Sequence, residues 1–215
     1  MTDLTLDEIR AALAPAVADN AAFDGWSAAA RELAADAEGI DRDLAALALP
    51  DRVAMIDAWF AAVDAAMLAD LPPEALAAMK IRARITALVE ARLAILAPNR
   101  ESLRRALAIL ALPQNLARAA RLGWRSSDAM WRAAGDTATD YNHYTKRATL
   151  LGVYGSTITV FLDDTSDDMA ETRAFLARRI DGLMRFEQAK AGVIARAERR
   201  PSLSRFIGRL RYPVA

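Results

Sequence analysis

Met130-Trp-Arg-Ala-Ala-Gly-Asp136, followed by Asp140-Tyr-Asn-His-Tyr-Thr-Lys-Arg147, breaks with the rest of the chain. Aromatic, amide and charged side chains crowd here, whereas elsewhere alanine, leucine and arginine recur at helical spacing. Downstream, Asp140 to Phe161 reads as one helix, with Tyr144, Leu151, Ile158 and Phe161 or Leu162 as core candidates. Along the same helix Ala148, Gly152, Gly155, Ser156 and Thr159 are small enough to admit a second helix at close range. Glycine inside a helix is about 1 kcal/mol less favourable than alanine, so two of them imply a packing reason. The acidic run Asp163–Asp168 then caps a further helix over about 167–192.

Upstream, the pattern is again helical. Leu6, Ile9, Leu13 and Val17 stripe a helix over 5–20 that Pro15 is expected to kink or stop. Asp24-Gly25-Trp26-Ser27 breaks the pattern, Ala28–Asp36 resumes it, and Gly39 closes it. Asp41–Leu49 is a third short helix ended by Pro50, and 51–70 a longer one with Val53, Ile56, Trp59, Phe60, Val63 and Met67 inward. Three short helices before a longer one have the proportions of a helix-turn-helix module. Pro72-Pro73 opens a long core helix, Glu74 to Leu96, carrying Leu76, Met79, Ile81, Ile85, Leu88 and Leu93 inward, with Lys80, Arg82, Arg84, Glu90 and Arg92 on its exposed side. Helices near 100–111 and 114–122 follow, and Gly123 and Ser126-Ser127 lead into the opening stretch. No strand period persists, so the chain is all-α.

The 215 residues suffice for one sizeable core or two small ones. Hydrophobic residues make up 54% and charged residues 26%, the balance of a folded protein and not of a disordered tail. Net charge is zero, yet residues 1–80 hold 15 acids against 5 bases, and the bases concentrate after them. With no cysteine, disulfides, thiolate nucleophiles and cysteine zinc sites are excluded. The acidic start predicts no secretory leader, and no apolar run reaches the roughly 18 residues of a spanning helix.

The chemistry legible in these motifs is thin. His143 is the sole histidine, and although Asp140 is three residues away, no nucleophile or second ligand accompanies it. The Asp163–Asp168 run lacks the central glycine and terminal glutamate of a calcium loop. A di-iron site needs Glu-x-x-His pairs that one histidine cannot supply. Catalytic residues, metal and cofactor are therefore all expected to be none. The would-be recognition helix, Asp41–Leu49, carries two acids and one arginine, so the acidic module should repel phosphates and bind no nucleic acid. At the other end, Leu203, Phe206, Ile207 and Leu210 fall at i, i+3, i+4 and i+7, with Arg205 and Arg209 opposite. Such a basic amphipathic helix reads as a membrane-surface binder. The chain thus divides into a helix-turn-helix-type module (1–70), a helical domain (71–195) and a membrane-binding tail (196–215).

Met130-Trp-x-x-Ala-Gly-Asp-x-x-x-Asp-Tyr-Asn-x-Tyr-Thr-Lys-Arg-Ala148, with Val153-Tyr154, Asp163–Ser166 and Phe175-Leu176-x-x-Arg179, resembles the ninth coenzyme Q (ubiquinone) biosynthesis protein family of bacteria and mitochondria. The likeness covers about residues 103–181, with Leu112-Pro113-x-Asn115 and Gly25-Trp26-Ser27 extending it. It implies a TetR-like helical bundle with a degenerate helix-turn-helix module, a homodimer through the last long helices, and no catalysis. It further implies binding of isoprenoid quinone intermediates or phospholipid in an apolar cavity, peripheral association with the cytoplasmic face of the inner membrane, and presentation of the intermediate to the demethoxyubiquinone hydroxylase. On the matching motif, the lipid- or partner-binding residues would be Met130, Trp131, Asp136, Asp140, Asn142, His143, Tyr144 and Arg147, His143 standing where tryptophan is common in the family. The alternative is a TetR-like transcriptional regulator with a small-molecule pocket.

Overall fold

Side-chain caps set the helix boundaries in the N-terminal third of the chain. Thr5 and Glu8 form a reciprocal capping box at the start of α1 (Leu6–Asp24), the Thr5 amide donating to Glu8 at 2.8 Å. Ser27 caps α2 (Ala28–Glu38), Asp41 caps α3 (Arg42–Ala48) and Asp51 caps α4 (Arg52–Asp70). Gly39 ends α2 at φ 65°, a left-handed conformation glycine enters freely. Then come α5 (Pro73–Ala77), α6 (Ile81–Leu96), α7 (Arg100–Leu110), α8 (Leu116–Ala133), α9 (Tyr141–Asp163) and α10 (Ala170–Glu198), with single 3-10 turns before α7, α8 and α10. This computed structural model describes residues 4–139 and 141–198, less the side chains of 190, 191 and 193–198. Among the described residues there is no strand, as the sequence predicts.

A single apolar cluster runs from Ile9 to Leu183. Helix α1 packs on α2, α3, α4 and α7, while α4 lies against α6 and α8, and α9 is held between α8 and α10. Trp26 locks the first helices to the body: its ring stacks on Trp59 at 5.3 Å and its indole N–H donates to the Ser102 carbonyl at 3.0 Å. Ser102 in turn donates to the Ala18 carbonyl at 2.6 Å.

Four boundaries differ from the sequence reading. Helix α1 passes through Pro15 and continues to Asp24, because Pro15 and Ala11 face solvent and water can reach the carbonyl that proline leaves unbonded. Leu6 is exposed, so the buried stripe begins at Ile9. The helix expected over 74–96 breaks at Ala78–Lys80. Arg84 lies at that break, donating to the Ala77 carbonyl at 3.2 Å, the Met79 carbonyl at 2.9 Å and the Ala134 carbonyl at 2.8 Å. One guanidinium thus satisfies carbonyls from the broken segment and from the end of α8, the residues helix termini leave without partners. Finally, α8 does not stop near 122 but runs through Gly123, Ser126 and Ser127 to Ala133. Gly123 is required there, since a Cβ would stand 2.5 Å from the Leu151 side chain on α9.

Candidate functional site

The motif of the opening stretch splits into a buried half and an exposed half. Met130 and Trp131 are 0% and 2% exposed and belong to the core, so neither can face a partner directly. Trp131 donates its indole N–H to the Lys146 carbonyl at 2.9 Å, and the Lys146 ammonium sits 5.4 Å from the Trp131 ring centre. Gly135, at φ 92°, turns the chain so that Asp136 faces α9. Arg147 is buried between two carboxylates, Asp128 at 2.5 Å and Asp136 at 2.9 Å, and Asp136 also accepts from Lys146 at 2.5 Å. Burial pushes both carboxyls up, but hydrogen bonds from Lys146 and Arg147 to Asp136, and from Arg147 and Arg132 to Asp128, outweigh it and hold both below the ordinary range. Asp136 and Arg147 therefore clamp α9 to the end of α8.

What remains at the surface is a small aromatic patch. Tyr144 is 61% exposed, which corrects its reading as a core residue, and Tyr141 beside it is exposed too. His143 meets Tyr144 edge-on at 5.1 Å, and Trp124 of α8 lies 6.1 Å from Tyr144 and 6.4 Å from His143. The His143 Nδ1 is 3.1 Å from the Ala138 carbonyl. Asn142 is half-buried on the same turn, and Asp140 lies outside the described residues, as does the tail with Leu203, Arg205, Phe206, Ile207, Arg209 and Leu210. Among the described residues no group of acidic or histidine side chains is placed to hold a metal ion, and no helix is long and apolar enough to cross a membrane.

The resemblance implies an apolar cavity but names no residue of its lining. Helices α4, α6, α7, α8 and α9 line an apolar cavity of about 380 Å3 that opens to the surface, within the size range of small-molecule sites. Leu107, Leu110, Leu116, Leu122, Leu151 and Ile158 form most of its wall, and Gly155 opens it, because nothing lies within 4 Å of where a Cβ would stand. Gly155 thus leaves space here, whereas Gly152 and Ser156 lie on the side of α9 against which α10 packs. Exposed Leu116 marks the mouth, and the deep end is polar. There Arg92, 1% exposed, pairs with Asp64 at 2.5 Å and donates from Nε to the Tyr154 hydroxyl at 2.8 Å, while Ser126 donates to Asp64 at 3.0 Å. The Arg92 guanidinium also lies over the Phe60 and Tyr154 rings, 5.6 and 5.4 Å from their centres. Burial raises the Tyr154 hydroxyl above its ordinary range despite Arg92, so it stays a neutral phenol.

The sequence reading placed Arg92 on an exposed face, and the structure reverses this. A signal was present. Arg92 follows Ile85, Leu88 and Val89 at helical spacing and precedes Leu96, and Asp64 follows Phe60 in the same register. Two opposite charges, each inside an apolar stripe, are the mark of a buried pair.

In overall shape the chain is a TetR-like helical bundle. The crystal structure of the TetR transcriptional regulator from Nitrosomonas europaea superimposes with a TM-score of 0.65, covering 81% of this chain and 97% of that one at 22% identity. That identity speaks for the fold alone. In sequence the likeness is to a different set of proteins. Residues 116–187, which form α8, α9 and the first half of α10, match the COQ9 family. The mitochondrial ubiquinone biosynthesis protein COQ9 of Rattus norvegicus is 46% identical over 96 residues, 45% of this chain and 31% of the rat protein. The Homo sapiens protein of the same name is 43% identical over 96 residues, 45% of this chain and 30% of the human one. A probable coq9 of Dictyostelium discoideum is 27% identical over 110 residues, 51% of this chain and 36% of that protein. The chain spans about a third of the length of the curated relatives it matches.

Proposed function

We propose that this protein is a non-catalytic accessory protein of ubiquinone biosynthesis, which binds an isoprenoid quinone intermediate in the α4–α9 cavity and presents it to the demethoxyubiquinone hydroxylase. The observation that carries the reading is the cavity itself. Most of its wall, from Leu116 to Thr159, comes from the segment that matches COQ9. Its lining is mostly apolar, with Arg92, Tyr154 and Ser126 clustered at the buried end and Thr159 the further hydroxyl on the wall, a distribution suited to a prenyl chain with an oxygenated ring. In this reading the Leu203–Leu210 segment seats on the inner-membrane surface, the α9–α10 groove around Gly152, Leu183 and Phe186 pairs two copies, and the Trp124–His143–Tyr144 patch receives the hydroxylase.

The test is lipid transfer. Protein floated away from anionic liposomes that contain a prenylated benzoquinone is expected to carry that quinone, read by mass spectrometry. Gly155→Leu places a side chain against the cavity and should remove most of the cargo while leaving the helical circular dichroism unchanged. Protein that carries no quinone, or the same quinone load in the variant, would overturn the reading.

The TetR-like fold keeps a regulator as the second reading. Against it, Arg42, the one base of α3, is held by Asp36 at 2.6 Å and lies 3.6 Å from Glu32. Leu44 and Leu47 are exposed on the face where a recognition helix would meet bases. Sequence-specific retardation of DNA at physiological salt would favour the regulator.

A further inference from the structure

The polar end of the cavity holds donors with unused capacity. Arg92 uses Nε toward Tyr154 and Nη1 toward Asp64, and among the described residues Nη2 makes no hydrogen bond. The Tyr154 hydroxyl accepts from Arg92, but its own proton goes to no acceptor among the described residues. Both side chains line the cavity and are at least nine-tenths buried, Arg92 at 1% and Tyr154 at 5% exposure. Asp64, beside them, is already occupied by Arg92 and Ser126, with Arg125 3.6 Å away and itself paired to Asp57. A ligand that displaces water from this space without offering an oxygen would leave both donors desolvated and unpaired, so the pair calls for an oxygen acceptor.

Charge then selects the kind of acceptor. Arg92 and Asp64 neutralise one another, so an anionic head group entering here would lose its water without gaining an unpaired cation, and would approach the Asp64 carboxylate. A neutral ring oxygen meets no such penalty. We infer that Arg92 Nη2 and the Tyr154 hydroxyl form a head-group subsite that reads the carbonyl or ether oxygens of a neutral quinone-type ring, and rejects lipids with an anionic head. The subsite rests on the cavity reading above and deepens it: the apolar wall takes the chain, and this pair decides which head is accepted. A chain longer than the cavity leaves past Leu116, which is exposed at the mouth.

The experiment compares three probes on the full chain by calorimetry: a benzoquinone bearing two isoprene units, a prenyl hydrocarbon of equal length, and oleate. The wild-type protein is expected to prefer the quinone to both others. Tyr154→Phe keeps the ring and deletes one donor, so quinone affinity should fall about fivefold while hydrocarbon affinity changes less than twofold. Equal loss for quinone and hydrocarbon, or no loss, overturns the subsite. If Gly155→Leu abolishes binding of all three while Tyr154→Phe leaves the quinone preference intact, the cavity stands and the subsite falls. If Gly155→Leu changes nothing, cavity and subsite fall together. Oleate binding more tightly than the quinone overturns the charge argument. A measurement on the unmutated protein stands apart from folding effects: the infrared carbonyl stretch of the bound quinone should lie below its position in hydrocarbon solvent, and an unshifted band overturns the assignment.

Discussion

Single residues decide where this chain spends its polar groups. Asp64 is 7% exposed and answers Arg92 and Ser126, so its removal leaves a buried guanidinium with neither charge partner nor water. Truncating one member of such a pair typically destabilises by 3–5 kcal/mol, whereas replacing both by apolar residues of similar volume is often neutral. Asp64→Ala is accordingly expected to lower the urea-unfolding free energy by about 3 kcal/mol, and Asp64→Leu combined with Arg92→Met to recover most of that loss. A double variant as unstable as the single one would show that the pair, and not its burial, holds the site. Tyr144 is the opposite case. With its ring mostly in solvent, where it meets the His143 and Trp124 rings, Tyr144→Ala should shift the melting temperature little. It should weaken hydroxylase capture in a pull-down at least tenfold if this patch is the docking surface. Full retention of capture would remove the patch from the proposal.

Among the helices, Arg84 is the joint. It satisfies carbonyls from the α5–α6 break and from Ala134, just before the Gly135 turn that aims Asp136 at Arg147. Hydrogen bonds from a charged donor contribute roughly 1.5–3 kcal/mol each when removed from a well-formed network. Arg84→Met should therefore destabilise by about 2 kcal/mol and quicken hydrogen exchange at the end of α8 ahead of global unfolding. Unchanged exchange there would mean that Asp136, Lys146 and Arg147 hold the corner alone. This joint was hidden in the sequence because arginine at position 84 fits an exposed helix face equally well. Only the helix break brings three carbonyls within its reach. The α9 helix, its acidic entry to α10 and the close of α2 at Gly39 were all legible, because each depends on neighbours a few residues away.

Taken whole, the molecule depends on buried and half-buried carboxylates that its basic second half keeps ionised. Asp128 and Asp136 are held low by Arg147, Arg132 and Lys146 against the opposing effect of burial. Asp164 is held lower still: burial opposes, but the Ser166 and Thr172 hydroxyls and amides overcome it at the start of α10. A carboxyl with a lower pKa folded than unfolded binds more protons in the unfolded chain. Its contribution is complete above the unfolded value, near 4, and is lost as pH falls from there through the folded value. Urea midpoints are thus expected to be level between pH 6 and 7 and to fall steeply below about pH 4. Asp136→Asn should flatten part of that fall, and an equally steep fall in the variant would exclude this clamp as the acid-sensitive element.

The sequence by itself determined the all-α bundle, its helix-turn-helix proportions and the likeness of its second half to COQ9, because periodicity, caps and a contiguous motif are properties of neighbouring residues. Tertiary structure decided which side of the motif reaches the surface. It buried Met130, Trp131, Asp136 and Arg147, and left Tyr144 exposed and His143 half-buried. It also made the cavity. Arg92 and Tyr154 are 62 residues apart in the chain, and Asp64 is 28 before Arg92, so only the packing of α4, α6 and α9 could bring them to one end of an apolar space. A helical stripe tells which face is buried. It does not tell what that face will find there.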